Sequence, residues 1–381
     1  MTKLEQLIAE LCPNGVESKS IGEICDICRG RVMSKDYISE NKGEYPVYSS
    51  QTENNGELGR IATFDFDGEY LSWTTDGANA GTVFYRNGKF SVTNVCGLLK
   101  IKNDGLLTKY LYYTLNAEAP NHVNSGMGNP KLMSNVMAKI TIPIPPLPVQ
   151  EEIVRILDTF TELTAELTAE LTARKQQYEH YTYQLLNFDD TVQTHRLREL
   201  IDFRNGKGHE KDIVSDGKYI VVNSKFISTN GEVKKYSNKQ ICPLFVDDIL
   251  MVMSDLPNGR ALAKCFLVAE DDKYTLNQRI GAFHVKDESV IKTKFLLYVL
   301  NRNQQLLKYD NGVDQTNLRK DDILDIMIPI PSIEEQERIV AILDRFDTLC
   351  NDISAGLPAE IEGRRKQYEY YRDKLLTFKV K

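Results

Sequence analysis

The 381-residue sequence predicts an α+β fold made from one plan used twice: two domains of mixed, mostly antiparallel sheet, separated by two long helices that form an antiparallel coiled coil. Three observations predict it. A motif recurs after about 186 residues, giving a pseudo-two-fold internal repeat. Each copy opens a helical stripe, with apolar positions stepping by three and four. Each stripe follows roughly 130 residues in which short β-like runs alternate with Gly, Asn and Asp turns.

The repeat is explicit at residue level. Ile142-Pro143-Ile144-Pro145 returns as Ile328-Pro329-Ile330-Pro331, and Gln150 returns as Gln336. Ile153, Val154, Ile156, Leu157, Asp158, Phe160 and Leu163 return as Ile339, Val340, Ile342, Leu343, Asp344, Phe346 and Leu349. The tails Tyr178-Glu179, Tyr181, Leu185-Leu186 and Phe188 return as Tyr368-Glu369, Tyr371, Leu375-Leu376 and Phe378. The offset there is about 190, so the second copy holds about four extra residues.

In chain order, residues 1–16 predict a helix with Leu4, Leu7, Ile8 and Leu11 on one face. Residues 17–141 form the first domain, with strands at Leu71–Trp73, Thr82–Tyr85 and Leu98–Ile101 and a closing helix near 106–117. Residues 142–195 hold the central helix, whose prolines require an extended entry. Residues 196–327 form the second domain, with strands at Tyr219–Val222, Ile249–Met253 and Ala282–Val285 and a helix near 293–309. Residues 328–381 hold the second long helix, opened by an S-x-x-E cap at Ser332 and Glu335 and interrupted at Gly356-Leu357-Pro358. Two narrow-striped helices bury their stripes most simply against each other; packing of each on its own neighbouring domain is the alternative. In the first helix the tetrad Thr164-Ala165-Glu166-Leu167 repeats as Thr168-Ala169-Glu170-Leu171. One tetrad turns the helix by about 400° and lengthens it by about 6 Å, so its number can change while the stripe stays nearly in register.

Composition bounds the function. No stretch approaches the roughly 18 apolar residues of a membrane span, and the opening Met1-Thr2-Lys3-Leu4-Glu5 lacks a secretory pattern, so a cytoplasmic location is expected. Seven cysteines (Cys12, Cys25, Cys28, Cys96, Cys242, Cys265 and Cys350) are scattered and odd in number, as expected of reduced thiols. Cys25 and Cys28 form a lone CxxC without a second pair or a nearby His, which points to ordinary thiols rather than zinc. A formal net charge of −7 argues against nucleic-acid binding by the chain as a whole, but binding depends on the local face. Phosphate-cradling GxxxxGK[ST], HExxH and GxSxG motifs are all missing, and Asn129-Pro130-Lys131 lacks the second proline and aromatic of an adenine-methyltransferase motif. Binding is therefore expected over catalysis, with no catalytic residue and no metal ligand.

The loops of the two domains diverge and carry side chains suited to base edges and phosphates. In the first domain these are Arg29, Arg31, Ser49, Ser50, Gln51, Asn54, Asn55, Thr74, Thr75 and Asn79. In the second they are Arg204, Lys207, Asn223, Ser224, Lys225, Ser254, Asn258, Arg260, Asn277, Gln278 and Arg279. Arg and Lys match guanine, Asn and Gln match adenine, and Ser or Thr serves phosphate or base. Each is individually compatible with an ordinary solvated turn. Trp73 reads as a core aromatic or as the flank of such a loop.

The chain resembles the specificity (S) subunit of type I restriction-modification enzymes. The resemblance is carried by IPIPPLPVQEEIVRILDTF (142–160) and TARKQQYEHY (172–181), and by their echoes IPIPSIEEQERIVAILDRF (328–346) and RRKQYEYY (364–371). It implies two target-recognition domains, each reading one half of a bipartite site in double-stranded DNA, with the helices setting the unspecified gap. It also implies two methyltransferase (M) subunits as partners, and restriction (R) subunits in the full complex. The chain would carry no cofactor, its partners using S-adenosylmethionine, ATP and magnesium. A non-catalytic coiled-coil adaptor that binds proteins is the main alternative the residues allow, beside an enzyme with an unrecognised site and a subunit that folds but no longer reads DNA.

Overall fold

The computed structural model describes residues 2–126, 128–256, 261–310, 312–352 and 355–380. The chain forms two compact units. The first comprises 1–170 and 358–381, and the second comprises 171–357. The boundary falls inside the helix Leu147–Leu186, so each unit holds one α+β domain and portions of both long helical segments.

In the first unit, the principal sheet takes the order Cys25–Arg29, Cys96–Ile101, Tyr70–Thr74, Val83–Arg86, antiparallel throughout. A second four-stranded sheet contains one parallel pairing, Val47 beside Ser91. The second unit repeats this plan. Its principal sheet runs Ile201–Asn205, Ile280–Val285, Ile249–Val252, Cys265–Leu267, and its second sheet has the parallel pair Ile220 and Tyr274. The Pro-containing entries to the helices also repeat: Glu17–Ser20 pairs with Thr141–Ile144, and Thr194–Arg196 with Met327–Pro329. The predicted strands stand where the sequence puts them. The central strands Tyr70–Thr74 and Ile249–Val252 are buried on both faces, whereas Val83–Arg86 stands at the sheet edge.

The long helices satisfy both packing alternatives. Val149, Ile153 and Leu157 are buried in the core of the first domain, and Ile339 and Leu343 in that of the second. Beyond these the stripes pair in antiparallel fashion within each unit. Phe160 stacks on Tyr371 at 5.5 Å, and Tyr178 on Phe346 at 6.0 Å. Tyr368, Leu375, Leu376 and Phe378 pack on the first core together with Leu4, Leu7 and Ile8 of the N-terminal helix, and the Val16 amide donates to the Lys379 carbonyl at 2.9 Å.

Two expectations require correction, those for Leu11 and for the helix near 293–309, and the expected interruption of the second long segment is met. Leu11 stands 43% exposed, because the helix Lys3–Leu11 ends there and the core lies under Leu4. The second long segment is two helices, Ile333–Asn351 and Leu357–Leu376; the interruption falls at the expected Gly356-Leu357-Pro358, where proline can only occupy the first turn. The helix near 293–309 stops at Leu300, with Arg302 at φ 57°, and resumes as the short turn Gln304–Leu307.

Candidate nucleic-acid interface

Each domain rests on its helix through the same two devices. The first is a buried glutamine. Gln150 accepts from the Leu107 amide at 2.9 Å and donates to the carbonyls of Gly105 at 3.0 Å and Pro145 at 2.7 Å. Gln336 accepts from the Lys292 amide at 2.8 Å and donates to Val290 and Pro331, both at 3.0 Å. Both side chains are fully buried, so the amide's paired donor and acceptor are needed to satisfy backbone groups that water cannot reach. The second is an aspartate clamp. Asp158 accepts from Lys109 at 2.6 Å and Tyr113 at 2.7 Å; Asp344 accepts from Lys294 at 2.7 Å and Tyr298 at 2.6 Å. Burial, then the bond to aspartate, raises the pKa of both phenols and keeps them donors.

On this common frame the loops differ. In the first domain Thr93 donates to Ser49 at 3.2 Å, Asn79 donates to Thr52 at 3.2 Å, and Arg31 bridges to Thr93. These contacts bring the loops at 31, 49–56, 79 and 93–95 together. Ser50 is half-buried beside them, while the Gln51 amide is spent on the Glu57 carbonyl. Asn54 and Asn55 are exposed with φ of 48° and 52°, a left-handed conformation that asparagine tolerates better than most residues. Arg29 is exposed against the Met133 sulfur at 3.5 Å, and Arg31 is held by Asp65 at 3.0 Å and Tyr37 at 3.3 Å. Thr74 and Thr75 do not belong to the surface. Both are fully buried, Thr74 donating to the Asn79 carbonyl and Thr75 to the Val95 carbonyl at 3.0 Å, so they shape the loop from beneath. Trp73 is likewise core, its indole donating to the Leu132 carbonyl at 2.9 Å.

In the second domain the Lys207 amide bonds Leu276, the Asn277 amide bonds Val222, and the Met253 amide bonds Arg279. Lys207, Asn223, Ser224, Lys225, Asn277, Gln278 and Arg279 are thereby gathered at one end of the sheet, with Lys207, Lys225, Gln278 and Arg279 exposed. Asn223 caps the helix Ser224–Ser228, accepting from Phe226 at 2.9 Å, so its oxygen is occupied. Ser254 is buried and accepts from Gln315 at 2.8 Å. Arg204 is committed to a buried acid: Asp248 accepts from it, from the Phe245 amide at 2.8 Å and from His284 at 3.1 Å. Asn258 and Arg260 lie outside the described residues.

The sequence reading missed two parts of these surfaces. One is the segment bearing exposed Gln315 and Asn317, joined to Ser254 by the pairing of 254–255 with 316–317. Its counterpart in the first domain is Lys131-Leu132, whose backbone meets Asp76 and Thr75. Neither segment carries a local signal, since each joins its surface through long-range backbone pairing. The other is Arg86, at the end of the strand Val83–Arg86 and only 2% exposed. Its guanidinium lies over the rings of Tyr48 at 3.6 Å and Phe84 at 4.5 Å, and its Nε donates to Ser72 at 2.9 Å. Burial lowers its pKa to about 10, which leaves it protonated at neutral pH.

The cysteines are thiols, not disulfides, with Cys25 buried and its thiol pushed up to about 12 by burial, while Cys28 is exposed on the same strand. No helix among the described residues is long and apolar enough to cross a membrane.

Comparison with known proteins agrees with this geometry. The family model for the type I restriction modification DNA specificity domain matches twice, over 13–174 and 189–363. A type I specificity subunit of Mycoplasma pneumoniae is 36% identical over 380 residues, covering 95% of this chain and 98% of its own. Another from the same organism is 34% identical, covering 84% and 97%. A third, described as the N-terminus of such a subunit, is 54% identical over 180 residues, 45% of this chain. The crystal structure of the S subunit of a type I restriction-modification system from M. genitalium shares the fold, with a TM-score of 0.59 over 96% of this chain and 97% of that one at 16% identity. With two matched domains on a duplicated frame and relatives aligned over nearly its whole length, the chain belongs to the family of type I restriction-modification specificity subunits.

Proposed function

We propose that this DNA-specificity subunit reads a bipartite duplex site, one half through each α+β domain, and that its helices fix the unspecified gap between the halves. The observation that carries the reading is the contrast between frame and loops. The glutamine and aspartate devices repeat bond for bond, whereas the loops above them share almost no residues. A duplicated support bearing two different polar surfaces suits recognition of two different half-sites.

The surface residues best placed for contact are Arg29, Ser50, Asn54, Asn55 and Asn79 in the first domain, and Lys207, Lys225, Gln278 and Arg279 in the second. Bidentate contacts by such side chains give about 1–3 kcal/mol of discrimination per base. The chain supplies specificity and performs no chemistry itself. Two M subunits dock on the helices and bring S-adenosylmethionine, and R subunits bring ATP and magnesium chemistry to the full complex. These partners also supply much of the positive surface that a chain of net charge −7 lacks.

The test is co-expression with M subunits followed by methylome sequencing. The expected result is a stable complex and a new methylated motif of two defined halves around a fixed gap. A chain that co-purifies with M subunits but leaves no sequence-specific methylation contradicts the reading; co-purification with unrelated proteins alone supports an adaptor.

A further inference from the structure

Arg86 is an anomaly for a folded core. A buried cation is ordinarily paired with an acid or saturated with hydrogen bonds, because removing it from water is costly. Here Nε donates to Ser72, and beyond the Tyr48 side chain on which the guanidinium lies, Nη1 and Nη2 meet no hydrogen-bond partner of ordinary geometry among the described residues. No carboxylate is among the groups acting on its charge, which are Tyr48, the Cys96 thiol and the Tyr112 phenol, the last two pushed up by burial and so neutral. Ring contact with Tyr48 and Phe84 returns only part of the lost hydration.

The orientation of the group is informative. A Cβ placed on Gly56 would stand 3.1 Å from Nη2 and 3.1 Å from the Gln51 carbonyl, so the unsatisfied nitrogen lies directly under the 49–56 loop. That loop carries Ser49, Ser50, Asn54 and Asn55, and its glycine has φ of 77°. In the second domain, strand register places Val268 at the matching position, fully buried and neutral. A hydrophobic residue therefore suffices for this site in the fold, and the arginine is particular to the first domain.

We propose that Arg86 is a positioning residue for DNA reading by the first domain, its buried cation held under the 49–56 loop to be neutralised by the backbone phosphates of a duplex seated on that loop. Beneath the loop the charge acts through protein rather than water, where attraction to phosphate is screened less. Free, the chain carries an uncompensated charge; bound, the phosphates compensate it. The inference rests on the reading that the chain binds duplex DNA.

The test uses the chain assembled with M subunits and a duplex bearing the methylation motif mapped for that complex. Arg86→Met and Arg86→Gln, two neutral variants of similar length, are compared with Arg86→Lys. The inference expects both neutral variants to match or exceed the wild-type melting temperature, yet to bind the duplex about tenfold more weakly at low salt, with a shallower dependence of log Kd on log salt. Arg86→Lys should restore the salt dependence. Neutral variants that melt earlier or fail to fold would show that the guanidinium is merely structural and overturn the inference, as would unchanged binding and salt dependence. A wild-type complex that binds no duplex instead sinks the underlying reading, and this inference with it.

Discussion

Gln150 and Gln336 show how much can rest on one side chain. Each bonds three backbone groups where a domain meets its helix, and among the described residues no other side chain bonds them. Gln150→Leu keeps the volume but strands an amide and two carbonyls, so a loss of about 2–3 kcal/mol is expected, read by denaturant unfolding. Gln336→Leu should cost the second unit a similar amount, and the double variant should show nearly additive losses, because the sites share no partners. Glu152 gives a pH-dependent counterpart. Its bonds to Arg155 and then Lys3 hold its carboxyl at about 2, below the ordinary 4.5. A depressed carboxylate stabilises the fold fully above its unfolded pKa, and that stabilisation is lost as pH falls through 4.5 towards 2. Melting temperature followed over that interval should fall less steeply in Glu152→Gln than in the wild type. The glutamines and aspartates were legible as repeated positions, although their bonds were not. Thr74 and Thr75 were misread because a polar pair at a strand end looks the same in sequence whether it faces water or the Val95 carbonyl. Arg86 was invisible, since an arginine closing Val83-Phe84-Tyr85 reads as the solvated end of a strand.

At the scale of elements, the helices were the most legible part of the chain. Their apolar spacing, capping serine and Pro358 act through local backbone chemistry, and the structure follows them closely. The loops were least legible because pairings such as Asp76 with Lys131 and Ser254 with Asn317 join residues about 55–63 positions apart, where no local pattern points to the partner. The tetrads at 164–171 lie where Leu147–Leu186 has left the domain core, and their side chains are mostly exposed. Inserting one further Thr-Ala-Glu-Leu unit there adds about 6 Å and about 40° of rotation beyond a full turn. The methylated motif of such a variant should keep both halves and gain about one to two base pairs of gap, given about 3.4 Å per pair. An unchanged gap in its methylome would mean that the helices do not set the spacing.

At the scale of the whole molecule, the account turns on independence: each unit has its own core, its own glutamine and aspartate devices, and its own loop surface. Binding of cognate duplex by the assembled complex should weaken steeply with salt, because phosphate contacts release counterions. A flat titration between roughly 50 and 200 mM would argue against backbone contact. Independence is tested most directly by replacing residues 196–327 with the second domain of a relative that methylates a different motif, then mapping methylation in cells that carry the M subunits. The account predicts that one half of the motif changes to the donor's while the other half and the gap persist. A motif in which both halves change together would contradict it.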